Sequence, residues 1–371
     1  MIQLADPARE HARQQEEIEA AALRVLRSGV YILGPEVSAF EEEFAAYCGA
    51  RGAVGVSNGS DAIVVALQAL GIGPGDEVIT TAFSYFATAS TITRAGATPV
   101  FADIDLDTFN LSPEDVARRV SPRTKAILAV HLFGRNADTV ALGEIARAHR
   151  IALIEDVAQA CGADRSGRRT GTQGTIGCFS FFPAKPLGCD GDGGACTSDD
   201  PALVEAMRRV RVTGATAKNV HDLPGGNYRL DPLQAAILRA KLPRYEARVA
   251  RRRENADALR AGLAGASTRL ALPPDDPHGR HVYAQFTVRH PMRDALSAAL
   301  RARGVGSEVY YPVPMPHQRV LAHLGHRRGD FPNAERAAAE VLSIPVHSEL
   351  TGDEVARVIE ATREALKEVE R

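Results

Sequence analysis

The chain has 371 residues, enough for one large domain and a smaller one. Apolar residues make up 45% and charged residues 24%, an ordinary soluble composition, and a formal net charge of −2 gives no bulk cationic field for nucleic acid or an anionic membrane. Five cysteines without a CxxC pair argue against a disulfide framework or a structural zinc site, and predict reduced thiols in a cytoplasmic protein.

The N-terminal stretch MIQLADPAREHARQQEEIEAAALRVL is charged and lacks the apolar centre of a signal peptide. No stretch reaches the length of a membrane span. Residues 9–28 read as one charged amphipathic helix stopped by Gly29. A Gly34-Pro35 turn then opens a second helix. From there strands and helices alternate. Strands fall at 53–57, 76–81, 98–104, 125–133 and 151–157, and helices at 61–70, 84–96, 112–120 and 138–150. This alternation predicts an α/β fold with a mostly parallel sheet covered on both faces.

Two short apolar runs, GTIGCFSFF and GGACTS, come next, followed by a long helical section over roughly residues 200–260. The basic run from Arg248 to Arg253 within it reads as a solvated helix face. After about residue 265 the texture changes. HVYAQFTVR (281–289) reads as a strand, 293–304 as a helix and SEVYYPVPMPH (307–317) as extended chain; NAERAAAEVLS and TGDEVARVIEATREAL close the chain as helices. The expected division is a large domain over 1–250, including the N-terminal helices, and a small α+β domain over 251–371.

Four places carry possible chemistry. GIGPGD (71–76) follows a helix instead of a strand, so it reads as a helix stop and turn, not a dinucleotide loop. SNGSD (57–61) follows a strand and opens a helix. Gly59 permits close backbone approach, and the free N–H groups with the Ser60 hydroxyl suit a phosphate; a plain N-cap on Asn58 or Ser60 is the alternative. IALIEDVAQACGA (151–163) ends a strand in Glu155 and Asp156, where α/β sheets bind ligands. A carboxylate there can hold a cationic ring nitrogen, or be a buried capping acid. Lys185, in CFSFFPAKPLGCDGDGGACT, ends an apolar run. Desolvation would lower its pKa and make it an amine nucleophile, and Gly188, Gly191, Gly193 and Gly194 allow tight turns around a bound group. A lysine, a phosphate cradle and an acid for a ring nitrogen together are the requirements of pyridoxal phosphate.

The chain resembles the DegT/StrS-type nucleotide-sugar aminotransferases, fold-type I pyridoxal phosphate enzymes with a large α/β domain and a smaller C-terminal α+β domain. The resemblance lies in YILGPEVSAFEEEFAAY, SNGSDA, GIGPGDEVITTAFSYFATAS, GATPVFADID, IEDVAQACGA, FSFFPAKPLGCDGDGGA and NYRLDPLQAAIL. It implies that Lys185 binds the cofactor covalently and moves the substrate proton. Asp156 would pair with the ring nitrogen, Gln159 would face the 3-oxygen and Tyr85 would stack on the ring. Gly59, Ser60 and Ser180 would hold the phosphate. Asn227 would serve the phosphate of the neighbouring subunit, so the active sites of a homodimer would be shared. Bland alternatives remain: Tyr85 packing a helix on the sheet, Ser180 facing the other side of a strand, Asn227 a turn residue.

A dehydratase branch that resembles this family has histidine at the lysine position, so Lys185 implies transamination. L-glutamate would give its amine to the cofactor, and a nucleotide-linked keto sugar would accept it, with ping-pong kinetics. PAKPLGCDGDGGA and VYAQFTVR are most similar to enzymes acting at C3, above all those making UDP-2-acetamido-3-amino-glucuronate. Enzymes of dTDP-deoxysugars are similar in SGVYILGPE and VHLFG. Tyr31, Arg229, Tyr310 and Tyr311 are candidate substrate contacts; Arg229 could bind a carboxylate through its planar fork or make a structural salt bridge. Tyr310 stands where relatives usually have histidine, and TGATAKNVHDLPGG (213–226) lacks their histidine pair. His317, His323 and His326 lie among turn residues, and no metal is expected. The other readings are a keto-cyclitol aminotransferase and a cofactor-binding regulator without turnover.

Overall fold

The structure, a computed structural model, describes residues 1–217 and 219–371. Seven short apolar runs form its central sheet: β1 Gly52–Val56, β2 Glu77–Thr81, β3 Thr98–Ala102, β4 Thr124–Val130, β5 Ala152–Asp156, β6 Ile176–Ser180 and β7 Gly194–Ser198. Their spatial order is β1-β7-β6-β5-β4-β2-β3. β2 is parallel to β3 and β4, β4 to β5, and β5 to β6. β7 alone runs against its neighbours, antiparallel to β6 and β1. Val54, Val78, Ile127, Leu128 and Ile154 are wholly buried, as strands covered on both faces require.

This topology fixes where chemistry can occur. Parallel strands end on one edge, so the C-terminal ends of β1, β5 and β6 lie together. The segment from Phe181 to Gly193 must turn back there to let β7 return beside β6. Ser180 and Val56 both register on Gly194, and Asp156 registers on Cys178.

The covering helices are α1 Pro7–Ala12, α2 Gln15–Ser28, α3 Pro35–Cys48, α4 Gly59–Ala69, α5 Ala87–Arg94, α6 Pro113–Arg119, α7 Thr139–His149, α8 Pro201–Arg211, α9 Pro232–Lys241 and α10 Tyr245–Leu263. Beyond them stand α11 Arg293–Ala302, α12 Pro332–Glu340 and α13 Gly352–Val369, with β8 Phe286–Arg289 antiparallel to β9 Val341–Ile344. One core packs β1, β2, β4, β5, β6 and β7 against α4 and α8, and another joins α10, α11, α13, β8 and β9. Residue 250 lies inside α10, which runs without a break.

Several expectations need correction. The helix over 9–28 is two helices, because Gln14 leaves helical geometry; Asp6 caps the first and Gly29, with φ 71°, ends the second. The helical section over 200–260 is interrupted. A short hairpin pairs Ala215–Ala217 with Val220–His221, and the following glycine-rich chain runs to Asp231. Of HVYAQFTVR only Phe286–Arg289 is strand, and VLS of NAERAAAEVLS begins β9. The basic run is only partly a solvated face: Arg253 is exposed and Arg251 half-buried, but Arg248 and Arg252 are 7% and 5% exposed, because α10 lays that side against the α1–α2 corner and the 347–350 turn. His317 and His326 face Glu335 and Asp330, at 3.2 and 3.9 Å.

Candidate active site

The site is assembled at the C-terminal edge of the sheet. α4 starts there because Asn58 leaves the strand in an extended conformation and its side chain accepts the Asp61 N–H at 2.9 Å. Ala62 N–H returns to the Asn58 carbonyl, so the N–H groups of Gly59 and Ser60 have no helical partner. Asn58 is therefore the cap, and the cap does not consume Ser60. A Cβ on Gly59 would lie 2.6 Å from Ser180 Cβ, and one on Gly194 would lie 2.5 Å from the Asn58 carbonyl carbon. Only glycines let β6, β7 and the α4 N-terminus approach this closely. Free N–H groups and a helix dipole at the start of α4 meet the Ser180 side chain across Gly59, and this edge fits a phosphate.

The loop carrying Lys185 is pinned at its base. Phe181 N–H donates to Gly193 O and Cys189 N–H to Phe181 O, each at 2.8 Å. The Lys185 N–H donates to Phe182 O at 2.8 Å. Gly188 has no room for a side chain, since a Cβ would come 2.6 Å from Pro183 O. The Lys185 side chain is partly buried. Its surroundings push the ammonium pKa down, and the Asp156 carboxylate partly opposes the shift.

Neighbouring acids on β5 take separate tasks because successive strand side chains face opposite ways. Glu155 is fully buried and accepts from Gly171, Gln173 and Gly174 N–H at 2.8, 2.7 and 2.6 Å and from His131 Nε2 at 2.9 Å. His131 Nδ1 accepts the Ala137 N–H at 2.9 Å, so the proton sits on Nε2. Burial alone would raise the Glu155 pKa; its partners bring it below the ordinary range. It is a structural anchor.

Asp156, 5% exposed, faces the site. Burial raises its pKa, opposed by the Ala158 N–H at 3.1 Å, the Thr88 hydroxyl at 3.0 Å and the charge of Lys185. A cation placed against it would lower the pKa again. Thr88 was not anticipated; its signal was the spacing of three residues from Tyr85, which puts both on one side of the α5 entrance. Tyr85 is 61% exposed, so it is not packing a helix on the sheet.

Gln159, 5% exposed, accepts the Phe133 N–H at 2.7 Å and donates to the Tyr311 hydroxyl at 3.0 Å. The Tyr311 ring centroid is 6.1 Å from that of Tyr85 and 5.6 Å from that of Tyr310. Burial raises the pKa of both Tyr310 and Tyr311. The structure thus brings Asp156, Gln159, Tyr85, Tyr310 and Tyr311 together, near Lys185.

Arg229 lies beside the end of β1, bridged to Val56, with its Nε buried and without a hydrogen-bond partner. Asn227 is exposed and pairs through its backbone with Val212. Tyr31, 52% exposed, donates its hydroxyl to Leu26 O at 2.9 Å in the α2–α3 corner. Among the described residues, no hydrogen bond or ring contact joins Asn227 or Tyr31 to the Lys185 cluster.

The chain is similar to known proteins over nearly its whole length. The chain is 46% identical to a pleiotropic regulatory protein of Geobacillus stearothermophilus, over 96% of this chain and 98% of the relative. It is 44% identical to the dTDP-3-amino-3,4,6-trideoxy-alpha-D-glucose transaminase of Streptomyces venezuelae, over 95% and 93%. It is 42% identical to the UDP-2-acetamido-2-deoxy-3-oxo-D-glucuronate aminotransferase of Pseudomonas aeruginosa, over 94% and 95%. The solved structure of S. venezuelae DesV in complex with a ketimine intermediate matches with a TM-score of 0.96 at 43% identity, covering 98% of each chain. Residues 12–363 match one family over nearly the whole length, and the chain belongs to the DegT/DnrJ/EryC1/StrS aminotransferase family.

Proposed function

We propose that this aminotransferase moves an amino group from L-glutamate to C3 of a nucleotide-linked 3-keto sugar, with pyridoxal phosphate as cofactor. The observation that carries the reading is the placing of Lys185 and the buried Asp156 carboxylate at the edge where Gly59, Ser60 and Ser180 bring the start of α4 against β6. When bound, the cofactor supplies an aldehyde that captures amines and a ring that accepts the electron pair released at the substrate carbon.

The chain's own residues do the rest. The N–H groups of Gly59 and Ser60 and the hydroxyls of Ser60 and Ser180 bind the phosphate. Asp156 keeps a proton on the ring nitrogen. Gln159, already held by Phe133 and Tyr311, presents its remaining N–H to the ring oxygen. The exposed Tyr85 ring covers one face. Lys185 takes the proton from the substrate carbon and returns it one atom away, so its amine must be neutral when it acts; its lowered pKa serves that need.

The remaining residues fit a homodimer with shared sites. Leu23, Leu26, Val30, Tyr31 and Ile32 form an exposed apolar strip along the end of α2. A second copy covering it would bring Tyr31 toward the partner's sugar side and Asn227 toward the partner's phosphate. The unpaired Arg229 would meet the carboxylate of glutamate or of a uronic acid. Tyr310 and Tyr311 would border the sugar. A cytoplasmic location agrees with five free, buried cysteines and with no described helix long and apolar enough to cross a membrane.

The test begins with the absorption spectrum of protein loaded with pyridoxal phosphate, before and after L-glutamate. The expected result is a visible band that bleaches toward the near-ultraviolet. A UDP- or dTDP-linked 3-keto sugar should then restore the band and appear as the 3-amino sugar. A band that glutamate leaves unchanged would overturn the choice of donor. Amination of a nucleotide-free keto-cyclitol alone would overturn the choice of acceptor.

A further inference from the structure

Away from the Lys185 edge, a cavity of about 380 Å³ opens where three parts of the chain meet. The α1–α2 corner contributes Glu10, Arg13 and Gln14; the start of α10 contributes Arg244, Arg248 and Arg251; the turn before α13 contributes Glu349. Four guanidinium groups thus face two carboxylates. Its volume is within the range that takes a small ligand, about 300–1,000 Å³.

The pairing inside it is incomplete. Arg248 is 7% exposed; its Nη2 forms an ion pair with the Glu10 carboxylate, while its Nε and Nη1 have no hydrogen-bond partner. Arg252, one turn further along α10 and 5% exposed, has an unpartnered Nε. Burial and the neighbouring charge of Arg248 lower the Arg252 pKa to about 10. Two guanidinium groups buried side by side repel each other, and such groups are ordinarily satisfied by an anion.

The exposed arginines are better served. Arg13 pairs with Glu349 at 2.7 Å, Arg244 with Glu17, and Arg251 with Glu254 at 3.0 Å. They form the rim; the deficit is at the floor. Acceptors are orphaned there as well: Glu10 Oε1 and Gln14 Oε1 have no hydrogen-bond donor. An occupant must therefore present negative oxygens to Arg248 and a hydroxyl to the acids. A chloride ion cannot do both. Hydrogen phosphate or a hydroxyl-bearing phosphomonoester can.

We infer that the α1–α10 cavity is a binding site for a phosphate group, separate from the cofactor cradle and centred on Arg248. Its lining shares no residue with the Lys185 cluster. Its occupant would tie the N-terminal helix, α10 and the turn before α13 into one unit.

The test is calorimetric titration of the full-length protein loaded with pyridoxal phosphate, so that the cofactor's own phosphate fills the cradle. The probes are inorganic phosphate and glycerol 3-phosphate, each against chloride at matched ionic strength. Saturable binding is expected, weakened about tenfold or more by Arg248→Met. It should be accompanied by a concentration-dependent rise in Tm. Circular dichroism checks that the variant folds. Should Arg248→Met fail to fold, the rim variant Arg13→Gln with Arg251→Gln serves in its place, with the same weakening expected. Tighter binding of the ester than of inorganic phosphate would assign the site to a phosphomonoester; the reverse would assign it to phosphate itself. Absence of saturable binding above chloride overturns the inference. So does binding that survives these changes but disappears with Ser60→Ala, since that would place the anion in the cradle.

Discussion

Gln159 donates to the Tyr311 hydroxyl at 3.0 Å while its carbonyl oxygen accepts the Phe133 N–H at 2.7 Å. Both ends of one amide are thus committed, and its orientation is set: Nε2 faces Tyr311 with one N–H to spare. A residue from the end of β5 is held by a residue 152 positions later in the chain.

Tyr311→Phe removes this hydroxyl and leaves the amide free to turn. The loss of one partly buried hydrogen bond should cost about 1 kcal/mol of stability. Urea unfolding of wild type and variant gives that number. Cofactor affinity should fall as well, read from the visible band during titration with pyridoxal phosphate. Unchanged affinity and stability would mean that the contact orients nothing.

Lys185→Ala removes the amine proposed to hold the cofactor and to carry the proton. Turnover should fall by at least about 10³-fold, since proton transfer alone contributes about 10²–10⁴. The visible band of lysine-bound cofactor should vanish while the far-ultraviolet spectrum stays native. Retained turnover would refute the role.

Asp156→Asn keeps the size of the side chain and an acceptor for Thr88, but removes the charge facing the site. The variant should fold, because burial of the carboxylate is itself unfavourable. Its kcat should drop on the order of 10²-fold or more, as for the loss of one preorganised electrostatic group. A rate within a few-fold of wild type would show that the ring nitrogen does not depend on this carboxylate.

Gly59→Ala puts a methyl group 2.6 Å from Ser180 Cβ. No unusual φ is involved, so the cost is contact alone, about 1–3 kcal/mol for overpacking. Release of pyridoxal phosphate should quicken, because the two walls of the cradle are forced apart. The double variant Gly59→Ala, Ser180→Gly restores the space, so it should recover stability while still binding cofactor weakly for want of the hydroxyl. Equal stability of the two variants would show that the contact is not the cause.

His347 carries a pH dependence. Burial and then the charge of Arg252 lower its pKa to about 4. The unfolded value is about 6.5, so the unfolded state binds more protons between these values. Stability from this group is complete above about pH 6.5 and is lost as pH falls toward about 4. Unfolding free energies measured across that window should decline in wild type and decline less in His347→Asn. Parallel curves would exclude His347 as the titrating group.

Much of the site was legible because its parts are local. Lys185 after an apolar run, the acids closing β5 and the SNGSD helix opening all declare themselves within a few residues. The glycines after Lys185 announced a tight return, and Gly188 and Gly194 prove to have no space for a side chain. Thr88 and the Gln159–Tyr311 contact were hidden because each depends on a partner from another strand or from the far end of the chain. The basic run of α10 misled for the same reason: its charges look solvated until the α1–α2 corner and the 347–350 turn close over Arg248 and Arg252.

By itself, the sequence determined the alternating α/β order, the helix starts and stops written in capping residues and glycines, and the placing of a lysine after an apolar run and of two adjacent acids at a strand end. Those properties come from backbone preference and from side-chain spacing within one element. Tertiary structure alone decided which of two adjacent acids faces the site, since the pleat sends Glu155 to His131 and the 171–174 loop and Asp156 to Thr88. It also decided that α4 meets β6 at Gly59, and that a cationic cavity lies behind α10. Contacts between distant segments depend on how the sheet orders its strands and where the chain crosses, and no local pattern encodes that order.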